Sequence, residues 1–325
     1  MKSIVSIEIG RESIKAAEIS SPDSKNPKVV KIGELELPSG VAGESLVHEK
    51  KEFTEALQEL WQKEKFSTKR VVLAVSGRRF MIRELETSHT SMKDFYNVMG
   101  YEVSNVIPDA MKNPIVDFYP THHKESQEGI KTSGLVIATP AEQIEDIIEC
   151  INDAKLELMF VDFAPMAIAR FLRNNSSEGF HKDGYALANI REYSTDILIA
   201  KDNIPRMIRV AATGLTPSTK KKGRHMKEDL PTSLSGEDTG SPVEALGREI
   251  RITVNSQLEN LGINIETLYV SGSRTDDETM RALSDLTEMR VVPLSIDMVN
   301  HKDGLDEELT SSDFVAVCAG MRGKK

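Results

Sequence analysis

SIEIGRESIKAAEI at residues 6–19 and LANIREYSTDILIA at residues 187–200 share one pattern of side chains. Each stretch has an apolar strand, a short polar turn and a second apolar strand, which predicts a β-hairpin. Glu8 falls opposite Asn189, and Ser13 falls opposite Ser194. A repeated hairpin indicates two related halves, and a polar residue at a strand end beside a short turn is well placed to hold phosphate between them.

Composition sets broad limits on the protein. Its 325 residues allow two or three domains. Asp and Glu outnumber Lys and Arg by 51 to 41, and this net charge of -10 argues against binding to nucleic acid or to an anionic membrane surface. The two cysteines favour a reducing compartment, and no stretch approaches the ~20 apolar residues of a membrane-spanning helix. We therefore expect a cytoplasmic protein with no direct membrane insertion, which reaches a membrane only through partners.

Residues 80–162 are predicted to form a unit of their own. Apolar residues at strand and helix spacings give the order strand, helix, strand, strand, helix, strand (βαββαβ), which matches a split βαβ arrangement. Residues 217–242 have almost no apolar side chains and are rich in Lys, Gly, Ser, Thr and Pro, which predicts a mobile loop.

The first hairpin carries a candidate phosphate site. Backbone amides in the turn from Gly10 through Arg11 to Ser13 can point at phosphate oxygens, and Gly10 permits a close approach. Lys15 can compensate phosphate charge, and Glu8 can hold a hydrated Mg²⁺ through water, because hard cations prefer oxygen ligands. The alternative is an ordinary edge hairpin with a solvated lysine, because short glycine motifs often match by chance.

The second hairpin offers weaker chemistry. Ser194 and Thr195 can donate their hydroxyls to phosphate, but Asn189 brings no negative charge toward Mg²⁺. Arg191 stands where Gly10 stands in the first copy, so its side chain would crowd the phosphate or replace it. The alternative is a plain hairpin without a ligand.

A third candidate is the turn Ser271-Gly272-Ser273 between a strand and a helix that runs from about Asp276 to Met289. Small residues at a helix N-terminus suit an anion or nucleotide, and Gly272 and Ser273 are the candidate ligands. The alternative is that Ser273 or Thr275 is the N-cap of the helix. His122-His123 lacks a spaced third ligand for a metal, and the sequence offers no nucleophilic triad.

In this order, the three segments resemble the actin-like ATPase superfamily. Its first phosphate loop, Asp-x-Gly-x-x-x-x-Lys, is matched from Glu8 to Lys15 with Glu in place of Asp. Its second loop, Asp-x-Gly-x-x-Ser-Thr, corresponds to residues 189–195, and its Gly-Gly adenosine motif corresponds to residues 271–273.

Within the superfamily, the chain is most similar to the PilM family, FtsA-like cytoplasmic proteins of type IV pilus assembly. The similarity runs in order over nearly the whole chain. The segments that carry it are Arg83-Glu84-Leu85, the helix end at Ile107-Pro108, VDFAPMAIAR at residues 161–170, LGREIR at residues 246–251 and AVCAGMRG at residues 316–323.

The resemblance implies an α/β fold of two actin-like (ribonuclease H-like) lobes, with ATP and Mg²⁺ in the cleft. It assigns residues 1–79 and 163–184 to the first lobe and residues 185–325 to the second, whose own subdomain is reduced. Residues 80–162 become the inserted FtsA-type subdomain. It also implies binding to the cytoplasmic N-terminal tail of a PilN-like bitopic protein of the inner membrane. Through this binding, the protein would link an inner-membrane complex to the pilus motor proteins.

Three departures from the family pattern bear on function. Glu8 and Asn189 replace aspartates, Arg191 replaces a glycine, and the segment between Gly214 and Val243 is too short and polar for the usual subdomain around adenosine. We therefore expect an adaptor in type IV pilus or related secretion assembly, with an eroded nucleotide site, weak or absent ATPase activity and no catalytic residue. An arginine in the cleft can stand in for phosphate, which predicts closed lobes without nucleotide.

Two alternatives remain open. One is a functional Mg-ATP-binding ATPase or switch of the same fold. The other is a small-molecule kinase, which would need a catalytic carboxylate in the cleft that no motif nominates.

Overall fold

The computed structural model describes most of the chain, namely residues 3–22, 27–89, 92–108, 111–126, 129–175, 184–215, 241–262, 264–294, 299, 302, 305 and 310–321. The loop predicted at residues 217–242 lies outside these ranges except for its last two residues, and Pro242 already begins a helix.

Groups of one to five strands are separated by single helices along the chain. The strands are β1 (Ser3–Ile9), β2 (Ser13–Ser20), β3 (Lys28–Glu36), β4 (Ala42–Gly43), β5 (Leu46–Val47), β6 (Arg70–Val75), β7 (Met81–His89), β8 (Pro114–Ser126), β9 (Gly129–Pro140), β10 (Glu157–Phe163), β11 (Tyr185–Ile190), β12 (Thr195–Lys201), β13 (Ile204–Ala211), β14 (Thr267–Gly272) and β15 (Arg290–Pro293). The helices are α1 (Lys50–Glu64), α2 (Met92–Val106), α3 (Ala141–Asp153), α4 (Ala164–Asn175), α5 (Pro242–Leu261), α6 (Asp277–Thr287) and α7 (Phe314–Gly320).

Two main sheets of the same topology form the two lobes. The first has the order β10-β6-β1-β2-β3, and the second has the order β15-β14-β11-β12-β13. In each sheet the first three strands along the chain are antiparallel neighbours, and the two outer strands on the other side are parallel to the central one. The registers also agree, because Glu8 pairs with Lys15 while Asn189 pairs with Asp196. The prediction of two related halves is confirmed.

Helices α4 and α7 lie between the two sheets. The helix α4 packs on α7 and touches strands of the second sheet, whereas α7 follows the second sheet in sequence and packs on β1, β2 and β6 of the first. Every residue of α7 is buried. One hydrophobic core therefore runs from the first lobe through these helices to one face of the second sheet.

The inserted part has the predicted βαββαβ order, but its last two elements belong elsewhere. Strands β7, β9 and β8 form a separate sheet, which α2 covers on one face. In contrast, β10 pairs in parallel with β6, and α3 buries its apolar face in the core of the first lobe. The separate sheet thus ends at Pro140 rather than at residue 162. Within the described ranges, no helix combines the length and apolar character needed to cross a membrane.

Candidate functional site

The twin hairpins face each other across a cleft. The cleft is lined by residues of both lobes, including most of the predicted ligands. They are Glu8, Ile9, Gly10, Arg11, Glu12, Ser13, Lys15, Glu44, Asn189, Ile190, Arg191, Glu192, Tyr193, Gly272, Ser273 and Ser312. The structure therefore brings together three segments that lie far apart in the sequence.

The two hairpin turns have equivalent backbone geometry. The Gly10 amide donates a hydrogen bond to the Ser13 carbonyl, and the Arg191 amide donates one to the Ser194 carbonyl, both at 2.9 Å. A Cβ atom on Gly10 would lie 3.0 Å from the Ser13 carbonyl oxygen, which is a tight contact. Because the turns match, the arginine side chain is what distinguishes the second hairpin from the first.

Arg191 lines the cleft and reaches from the second hairpin toward the first lobe. Its Nη2 atom donates hydrogen bonds to Ser194 Oγ at 2.6 Å and to Asp196 Oδ1 at 3.0 Å. Its Nε atom lies 3.7 Å from Oε1 of Glu44, in the other lobe. Burial disfavours the guanidinium charge, but Asp196, Glu44 and Glu8 outweigh burial and raise the pKa of Arg191. The arginine therefore stays charged although its side chain is largely buried.

Asp196 is the centre of a buried polar network. Its side chain is fully buried, and its Oδ2 atom accepts hydrogen bonds from Ser76 Oγ at 2.6 Å and from Asn189 Nδ2 at 3.1 Å. Asn189 Oδ1 in turn accepts a hydrogen bond from Ser271 Oγ at 2.9 Å. Asn189, a predicted ligand of the cleft, thus orients a carboxylate through its amide group.

Glu44 reaches the cleft from the turn between β4 and β5. Its Oε2 atom accepts a hydrogen bond from Ser194 Oγ at 2.6 Å, across the two lobes. The adjacent Ser45 holds this turn in place, because its amide donates to the Ile9 carbonyl and its Oγ accepts from the Ser76 amide. Gln143 of α3 adds a hydrogen bond from its side-chain nitrogen to the Ser45 carbonyl.

Sequence reasoning missed Glu44, Ser76 and Asp196. Asp196 had a usable signal, since it is a charged residue in an otherwise apolar strand directly after the predicted Ser194-Thr195 pair. Glu44 and Ser76 lie in short connections without a motif, and only the fold brings them to the cleft.

Glu8 and Lys15 face the cleft on paired positions of β1 and β2. Burial raises the pKa of Glu8 to about 7, against the opposing attraction of Lys15 and Arg191 and with help from Asp313 and Asp196. At neutral pH the carboxyl is thus divided between its charged and neutral forms. A partly neutral carboxyl is a poorer partner for a hydrated cation than a full carboxylate.

Gly272 has a structural role at the end of β14. Its φ is +112°, and a Cβ atom there would lie 1.8 Å from the Ile190 carbonyl oxygen. The next residue, Ser273, donates its amide to the same oxygen at 2.9 Å, and its Oγ donates to the Leu215 carbonyl at 3.1 Å. The N-cap of α6 is Asp276, which accepts from the Thr279 amide. The alternative of Ser273 or Thr275 as the N-cap is therefore wrong.

The remaining predicted ligands are engaged with the protein itself. Ser194 and Thr195 are fully buried, and Thr195 Oγ1 donates to the Thr213 carbonyl at 2.7 Å. Ser13 Oγ donates to Glu34 Oε1 at 2.6 Å. Arg11 lies over the ring of Tyr193, 4.6 Å from its centroid, and so links the two hairpin turns. Among the described residues, no group of three or more His, Cys, Asp or Glu side chains is arranged to hold a metal.

The residues present fit Mg-ATP in one half of the cleft only. The first hairpin offers a glycine turn, a lysine and a carboxyl group, which suit phosphate and a hydrated cation. The second hairpin offers a guanidinium that is hydrogen-bonded to Asp196 and lies 3.7 Å from Glu44. Its hydroxyls are hydrogen-bonded to protein atoms.

Two sheets of equivalent topology that face each other across a cleft define an actin-like fold. A sequence profile of the family described as type IV pilus assembly protein PilM matches residues 6–214. The chain belongs to the PilM family. A comparison with curated protein sequences gives no significant match.

Solved structures agree with this fold. The chain is similar to a structure described as the PilM-PilN type IV pilus biogenesis complex, with a TM-score of 0.77, 19% identity, and coverage of 99% of this chain and 98% of that one. A Bacteroides thetaiotaomicron protein with an actin-like ATPase fold has a TM-score of 0.50, 12% identity, and coverage of 97% and 95%. The cytoplasmic domain of EpsL, an inner-membrane component of the type II secretion system of Vibrio cholerae, has a TM-score of 0.51, 8% identity, and coverage of 98% and 94%.

Proposed function

We propose that this protein is an adaptor of type IV pilus assembly, which binds the N-terminal cytoplasmic tail of a PilN-like inner-membrane protein. The observation that carries the proposal is the similarity to the protein of the PilM-PilN complex over 99% of this chain. The membership of the PilM family supports it. In this role the protein lies at the cytoplasmic face of the inner membrane through its partner, and it connects that partner to the pilus motor proteins.

A peptide-binding experiment tests this function. The full chain is mixed with an immobilised peptide of the N-terminal tail of a PilN-like protein from the same organism. Saturable retention is expected, and a scrambled peptide of the same composition serves as the control, because the net charge of -10 favours unspecific retention of any basic peptide. Equal retention of both peptides, or of neither, contradicts the adaptor function.

The adaptor function includes a cleft that does not turn over ATP. This part is supported by Arg191, whose guanidinium lies between Glu44 and Asp196 where the second phosphate loop would need room. Calorimetry with Mg-ATP at millimolar concentration should give no heat above dilution. The thermal midpoint should also stay constant, whereas a ligand at a hundred times its Kd would add about 2.7 kcal/mol to the free energy of unfolding.

The second candidate is an ATP-binding switch of the same fold. The observation in its favour is that Glu8, Gly10 and Lys15 line the cleft together. It predicts that Mg-ATP raises the thermal midpoint and that Lys15→Ala abolishes the rise. Pull-down and calorimetry are independent readouts, so that either part of the proposal can fail without the other.

A further inference from the structure

The space between the twin hairpins has the charge of a cation site rather than of a phosphate site. Glu44 Oε1 and Asp196 Oδ1 approach the Arg191 guanidinium from opposite lobes, at 3.7 Å and 3.0 Å. The side chains of Arg191 and Glu44 are 13% and 16% exposed, and that of Asp196 is fully buried. A phosphate at this point would meet two carboxylates with little water to screen them. The positively charged guanidinium of Arg191 suits a site that is formed by the carboxylates of Glu44 and Asp196.

The same side chains connect the two lobes. Ser76 of the first lobe donates a hydrogen bond to Asp196 of the second, and Glu44 of the first lobe accepts one from Ser194 of the second, each at 2.6 Å. Both bonds involve a carboxylate, and charge-assisted bonds are stronger than neutral ones. The Arg11–Tyr193 contact joins the hairpin tips next to them. Protein atoms therefore make the connections between the lobes.

We infer that Arg191 is a built-in occupant of the cleft, which joins the two lobes through Glu44 and Asp196 in the place of a bound nucleotide. The inference rests on the family fold, but it is independent of the PilN-like partner. In the first hairpin the equivalent residue is Gly10. The two turns share the same backbone hydrogen bond, so the second hairpin differs by the arginine side chain that occupies the cleft. Its consequence is a single closed arrangement of the lobes that nucleotide does not control.

The test measures the distance between the lobes. Spin labels are placed on Glu55→Cys in α1 and Arg281→Cys in α6, whose side chains are 64% and 79% exposed. The native cysteines, Cys150 and Cys318, are buried. Double electron-electron resonance on the otherwise unchanged chain should give one narrow distance distribution, and Mg-ATP should not shift it.

Replacement of the arginine by the residue of the first hairpin should release the lobes. Arg191→Gly is expected to broaden the distance distribution or to move it to longer values. The matched control is Arg209→Ala, which breaks an ion pair of 2.8 Å with Glu249 inside the second lobe and should leave the distribution unchanged. If Arg191→Gly retains the narrow wild-type distribution, the inference is overturned.

A second variant covers the case in which Arg191→Gly does not fold. Glu44→Gln removes the negative charge that faces Arg191 but keeps a side-chain oxygen that can accept the hydrogen bond from Ser194 Oγ. This variant should therefore fold and show a partly broadened distance distribution. Calorimetry with Mg-ATP and with Mg-pyrophosphate supplies the other readout. If the wild type binds either probe and Arg191→Gly weakens that binding at least tenfold, Arg191 is an anion receptor rather than an occupant, and the inference is wrong.

Discussion

Ser76 at the end of β6 in the first lobe donates a 2.6 Å hydrogen bond to Asp196 in β12 of the second lobe. The bond is buried, and the Asp196 carboxylate also accepts hydrogen bonds from Arg191 Nη2 and Asn189 Nδ2. One carboxylate therefore holds groups from both halves of the protein. A buried charge with partners on several elements is costly to disturb, because each partner loses its compensation at once.

Asp196→Asn should destabilise the protein by about 3 kcal/mol, since it leaves the Arg191 guanidinium with the more distant Glu44 as its counter-charge. Urea denaturation at pH 7 measures the change. Ser76→Ala, which removes one hydrogen bond and keeps the ion pair, should cost about 1–2 kcal/mol. Equal effects of the two substitutions would show that the charge has no special weight.

Gly272→Ala should destabilise the protein by more than about 3 kcal/mol, because the new Cβ would meet the Ile190 carbonyl oxygen at 1.8 Å and φ is +112°. The matched control is Gly100→Ala in α2, where no atom lies within 4 Å of the new Cβ. This control should be stabilising by about 0.5–1 kcal/mol, because alanine favours a helix. Thermal unfolding of both variants gives the comparison. A mild effect at Gly272 would contradict the close approach of β14 to β11.

Glu8 should make the free energy of unfolding fall as the pH rises. Its pKa is raised in the folded state from 4.5 to about 7, so between these values the folded protein keeps a proton that the unfolded chain has lost. Each pKa unit corresponds to about 1.4 kcal/mol, which limits the whole effect to at most about 3.5 kcal/mol.

Glu8→Gln removes this proton exchange, so its stability relative to the wild type should increase from pH 4.5 to pH 7. Chemical denaturation at several pH values measures the difference. Glu55→Gln, at a site whose side chain is 64% exposed, should follow the wild-type profile. Parallel profiles for Glu8→Gln and the wild type would mean that the Glu8 carboxyl is solvated.

Local patterns predicted the twin hairpins because alternation and turn polarity are properties of neighbouring residues. The equivalence of Gly10 and Arg191 was visible in the same way, and the two turns share one hydrogen bond. The place of β10 was not predictable from its own residues, since its partner β6 is about eighty residues earlier in the chain. Glu44 was missed for a similar reason, because its partners Ser194 and Arg191 lie in the other lobe.

Asp276 is the N-cap of α6 and follows the turn at residues 271–273. Asp276→Ala should cost about 1 kcal/mol at pH 7, because the carboxylate accepts the Thr279 amide at 2.9 Å and caps α6. Burial works against the charge, but the bonds from Thr279 and Arg274 lower the pKa of Asp276 below 3.8. The contribution is therefore present above this pH and should disappear as the pH falls through the lowered pKa. Ser273→Ala is the control and should show no such pH dependence, since its hydroxyl binds carbonyl oxygens. Thermal unfolding over a series of pH values from pH 7 downward separates the two variants, and an equal loss from both that does not change with pH would contradict the cap.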